Sequence, residues 1–121
     1  MATITAKPVA EVLEEAHLAG LYAGNTAVPT QYDVVNEKQE VIDTLTDGLC
    51  GFAWITIRPA RGPLVAHLKK MGMGSKGWNG GWEVWVSHFN QSYERKYAYA
   101  NAFAWTLRQH GYDAQHGGRL D

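Results

Sequence analysis

The sequence predicts a single α+β domain over residues 1–121, with a mixed or mainly antiparallel sheet packed by about three helices. Three observations carry this expectation. Pro8–Leu21 and Tyr93–His110 repeat apolar residues at helical spacing. Cys50–Arg58 and Trp82–Phe89 have strand length and are rich in aromatic and β-branched residues. Between these stretches lie turn signals, with no linker, internal repeat or low-complexity tract.

The first helix is expected from about Pro8 to Leu21, because proline suits a first turn and Val9, Val12, Leu13, Ala16 and Leu18 form one apolar stripe. Gly20 and Gly24 weaken its continuation, and Asn25–Asp33 reads as a loop around Pro29. Glu40–Leu45 suits strand or helix; Asp47-Gly48 tips it towards a hairpin with the strand that ends at Arg58. In that strand Phe52, Trp54 and Thr56 alternate with Ala53, Ile55 and Ile57, which predicts a core strand covered on both faces.

Pro63 opens a short helix carrying Leu64, Val65, Leu68 and Met71, and Gly72 is placed to close it. In the next strand Trp82, Val84, Val86 and His88 share one face; Glu83, Trp85, Ser87 and Phe89 share the other. Ser92 N-caps the longest helix and Gly111 stops it. Tyr112–His116 follows as a last strand and Gly117–Asp121 as a tail.

Composition excludes some function classes. The chain has 11 basic and 12 acidic residues, a formal charge of −1, so no global positive field gathers duplex DNA. Its acids crowd the first half, including Glu37, Glu40, Asp43 and Asp47, which read as a solvated face, and a local basic face remains open to the second. Apolar runs fall far short of the roughly twenty residues that span a bilayer, so no membrane partner is expected. Cys50 is the single cysteine and can form no internal disulfide; beside a strand it reads as a small core residue. No basic leader or long apolar run opens the chain, as expected of an intracellular protein.

Two stretches could bind a ligand. Lys76–Val86 holds three tryptophans and three glycines within eleven residues. Aromatic faces stack bases, glycines let backbone N–H groups approach phosphate oxygens, and Lys70 and Lys76 could neutralise them, with Trp78 outside any regular strand. The structural alternative has the glycines turning the chain and the other tryptophans packing the sheet. In the second stretch Asn90, Gln91, Ser92 and Arg95 converge on a helix N-terminus, where amides could read a base edge and a guanidinium could grip an anion. The alternative is a capped helix after a turn. Arg119 could meet a phosphate or an internal carboxylate equally well. The five histidines show no paired metal spacing, and nucleophile-elbow, Walker and dinucleotide fingerprints are missing, so no catalytic residue, metal or cofactor is assigned.

Asp47–Trp54, Gly80-Gly81, Asn90–Ser92, Arg95–Ala100 and the final Arg119–Asp121 together resemble a family of small, mostly uncharacterised proteins of tailed bacteriophages, over roughly residues 45 to 121. The resemblance implies expression in the host bacterial cytoplasm and no particular activity. In that setting the expected function is a small binding protein that sequesters a nucleotide immune signal against host antiviral defence. The alternatives are a protein-binding inhibitor of a host factor, a single-stranded nucleic-acid-binding protein held back by the neutral charge, and an enzyme. A homo-oligomer would suit the tryptophan-rich surface. The nucleotide expectation requires the Trp78 bend and the Asn90–Arg95 helix entrance to form one hollow.

Overall fold

The structure, a computed structural model, describes residues 7–121. Three helices, α1 (Val9–Thr26), α2 (Pro63–Lys70) and α3 (Tyr93–Gln109), accompany six strands: β1 (Tyr32–Val35), β2 (Val41–Leu45), β3 (Gly51–Arg58), β4 (Ser75–Lys76), β5 (Trp82–Trp85) and β6 (Asp113–Leu120). A four-stranded sheet has the order β4-β5-β3-β6, and β1-β2 forms a separate ribbon. All pairings are antiparallel, as expected of an α+β domain.

β3 is central, and its alternation decides the layering. Ala53, Ile55 and Ile57 are buried in one core with Val12, Ala16, Leu64, Leu68, Phe103 and Leu107 from the helices. Phe52, Trp54 and Thr56, pointing the other way, are partly buried and stand outside the core cluster. The expectation of a strand covered on both faces is therefore corrected. Aromatic residues make both sides apolar, and apolarity does not say whether a layer lies above it.

The expected hairpin between Glu40–Leu45 and β3 is also corrected. β2 turns back onto β1 instead, because the Asn36 side chain accepts from the N–H groups of Lys38 at 2.9 Å and Glu40 at 3.0 Å, and Gln39 adopts a φ of 65°. Asp47-Gly48 does turn the chain, with Gly48 at φ 73°, but both edges of β3 are already taken by β5 and β6.

α1 runs through both glycines to Thr26, five residues beyond Leu21. The glycines are seats for aromatic rings: a Cβ on Gly20 would sit 2.6 Å from the Tyr99 ring, and one on Gly24 would strike Phe89. Helix packing outweighs the local glycine cost of about 1 kcal/mol each. The same logic converts the expected tail into strand, since Gly117 receives the Trp54 indole and Gly118 the Tyr93 and Tyr97 rings. β5 ends early at Trp85; further on, Phe89 and Asn90 take φ values of 67° and 51°, and Phe89 packs against the core. Cys50 is exposed rather than buried.

Candidate ligand-binding site

The residues singled out in the sequence do not form one hollow. Trp78 is 94% exposed at the tip between β4 and β5, with Lys76 exposed beside it on β4 and Lys70 exposed at the end of α2. This tip lies near the Ile57 end of β3, because Gly81 backs onto the Ile57 carbonyl. Asn90 and Gln91 lie at the Gly51 end, where the Gly51 N–H donates to the Gln91 carbonyl at 3.0 Å. Eight strand residues separate the two ends, roughly 24 Å at strand rise.

At the Gly51 end the polar groups mostly hold the chain together. Ser92 accepts from the Arg95 N–H at 3.4 Å and donates to the Asp47 carbonyl at 2.7 Å. Arg95 donates to the Gly24 carbonyl at 2.9 Å and pairs with Asp47 at 3.3 Å, so it closes the C-terminus of α1, whose last turn has no basic residue of its own. Asn90, Gln91 and Ser92 line a recess of about 150 Å³ with Asp47, Gly48 and Cys50. Arg119 stands apart, on the open sheet face opposite Phe52.

The larger cavity, about 410 Å³, opens among the three helices and the segment after β5. Its walls are apolar or aromatic, from Leu13 on α1, Met71 and Met73 after α2, and Tyr99 and Phe103 on α3. Three histidines, His17, His67 and His88, with Glu14 and the Tyr99 hydroxyl supply its polar groups; among the described residues neither lysine nor arginine lines it.

Packing organises the polar centre. The His17 Nδ1 lies 2.6 Å from the Tyr99 hydroxyl, and His88 stacks on the Tyr99 ring with centroids 5.3 Å apart. Burial pushes the Tyr99 phenol up to about 12, so it keeps its proton. Burial, and secondarily the neighbouring His88, hold His17 below the usual imidazole range and favour its neutral form. Donation from Tyr99 to an unprotonated Nδ1 is the assignment that satisfies both shifts, and it leaves the His17 proton on Nε2. Among the described residues no group of three histidine, cysteine, aspartate or glutamate side chains could hold a metal ion.

Sequence reading passed over this cavity although it contains its signals. His17 follows Leu13 by one helical turn, and His88 continues the inward face of Trp82, Val84 and Val86. Isolated histidines on apolar faces most simply read as structural, and only the fold brings two of them to one tyrosine. Comparison with protein-family models, curated proteins and solved structures found no match for this chain. No helix among the described residues is long and apolar enough to cross a membrane.

Proposed function

We propose that this protein is a small-molecule-binding module whose ligand is a planar, uncharged, mostly apolar molecule bearing one or two hydrogen-bonding atoms. The observation that carries this reading is the cavity of about 410 Å³, with apolar walls and a single ordered polar centre at His17 and Tyr99. Its size falls within the range of ligand pockets, and a few convergent polar groups in an apolar setting give orientation. Because no cation lines it, a nucleotide's phosphates find no counter-charge there. Sequestration thus remains the proposed mode of action, in the infected bacterium that the phage resemblance implies, while the ligand chemistry differs from the nucleotide expected at first.

The test uses 1-N-phenylnaphthylamine, an uncharged fluorescent probe. Saturable binding to the intact protein is expected, with loss of that binding in Ala10→Trp, which adds bulk at an exposed residue of the cavity lining. Probe recovered chemically unchanged after denaturation would fit sequestration. Absence of saturable binding, or equal binding by Ala10→Trp, overturns the proposal.

One observation favours the second reading, a protein-binding inhibitor. The β1–β2 ribbon is exposed along both strands and presents Val34, Val35, Val41 and Ile42 to solvent. If that reading holds, Ile42→Asp abolishes partner binding and leaves the probe bound.

A further inference from the structure

We propose that the open face of the four-stranded sheet is a second ligand site, for a mononucleotide whose base lies on Trp54 and Trp85 and whose phosphate meets Arg119 and Lys96.

Antiparallel register puts Phe52, Trp54 and Trp85 on this one face, with Arg119 directly opposite Phe52. The Trp54 and Trp85 ring centroids are 4.9 Å apart, and those of Phe52 and Trp85 are 5.8 Å apart. Gly117, opposite Trp54, offers no side chain, so the Trp54 indole settles towards the backbone and the surface stays low. The Trp54 and Trp85 rings are tilted by only 31°, whereas Phe52 stands at 62° to Trp85, so the two indoles form the platform and Phe52 its edge; a base stacked on an indole gains about 1–3 kcal/mol.

Cations gather at one end of it. The Arg119 guanidinium lies 5.4 Å from the Phe52 ring and 5.9 Å from the Trp85 ring. Lys96 reaches the same Phe52 ring at 5.7 Å from α3. The lysine is only 6% exposed, yet among the described residues no carboxylate lies within 4.0 Å of it or of Arg119. A ring quadrupole attracts a cation without neutralising its charge, and nearly buried lysines are ordinarily paired. Among the described residues no buried side-chain nitrogen lacks a partner, so the Lys96 Nζ itself reaches solvent, where an anion at the Phe52 end can meet it.

The opposite end is net acidic, with Glu83 and Asp113 against the single cation Arg58. The Trp85 indole N–H donates to Glu83 at 3.4 Å, and Asp113 lies opposite Arg58. This polarity orients a ligand with its phosphate at Phe52 and its base towards Trp54. Two free cations and a short platform suit a single nucleotide better than a polymer, given the net charge of −1.

The experiment is calorimetric titration of the full chain at low salt with ADP, adenosine, ribose 5-phosphate and an oligothymidylate. ADP should bind, with adenosine and ribose 5-phosphate each weaker by roughly tenfold or more, the scale of one charge-assisted contact or one stacked base. Arg119→Ala should weaken ADP by a similar factor. So should Lys96→Met, which keeps the buried stem and removes the charge, and it provides the test should Arg119→Ala fail to fold. Ala10→Trp should bind ADP normally, which separates this site from the cavity. Equal affinity for ADP and adenosine, wild-type ADP binding in the folded charge variants, or much tighter, steeply salt-dependent binding of the oligothymidylate would each overturn the proposal.

Discussion

The two faces of β3 use similar residues for opposite ends. Ala53, Ile55 and Ile57 look inward and are at most 3% exposed, whereas Phe52, Trp54 and Thr56 look outward and are only partly buried. Aromatic bulk lies on the open side and compact aliphatic side chains on the closed one. Helix α3 approaches the inner face at glycine and alanine positions, leaving little room there for indoles. Outward tryptophans need no such fit, and they provide the platform that the inner face cannot.

That contrast can be broken most strongly at Ile55. Ile55→Ala removes a fully buried side chain and should cost about 2–5 kcal/mol in urea unfolding, whereas Thr56→Ala, its outward neighbour, should stay within about 0.5 kcal/mol. Comparable losses at both positions would show that the outer face is covered after all. A smaller effect is expected at the seam between α1 and the interior. Gly24→Ala places a methyl group against the Phe89 ring and should lower stability by about 1–3 kcal/mol, reversed in part by the double variant Gly24→Ala with Phe89→Leu.

Acidity gives the smallest effect, and it acts through the inner side. His17 borders the cavity and His116 lies on the inner face opposite Ile55. Burial holds both below the usual imidazole range, helped by His88 for His17 and by Arg108 for His116. Since the unfolded chain takes up these protons first, their contribution is present above the ordinary value of 6.5 and is lost as pH falls through the folded values. The melting temperature should therefore decline below pH 6.5, and His17→Gln should reduce the slope. A slope unchanged in that variant would remove His17 as a source.

Much of the fold is legible in the sequence because local chemistry there agrees with the tertiary result. Ser92 caps α3, Pro63 opens α2, and the alternation of Trp82 and Val84 survives as the inward face of β5, with Val86 continuing it just beyond the strand. Where reading failed, long-range contacts overrode local signals. Gly20 and Gly24 look like helix breakers until Tyr99 and Phe89 occupy the space they leave; Gly117 and Gly118 look like a loose tail until Trp54 and the two tyrosines cover them. The site was less legible still. Arg95 resembles an anion fork, but the α1 carbonyls and Asp47 engage it; His17, His88 and Tyr99 are far apart in sequence and show no shared motif.

The β1–β2 ribbon, whose strands pair only with each other, has its own dynamic consequence. A lone pair of short strands is marginal in water, so its pairing can come apart while the body of the protein stays intact. Its backbone amides should trade hydrogen for deuterium well ahead of those in β3. The molecule would then have two clocks, a quick one in the ribbon and a slow one in the sheet.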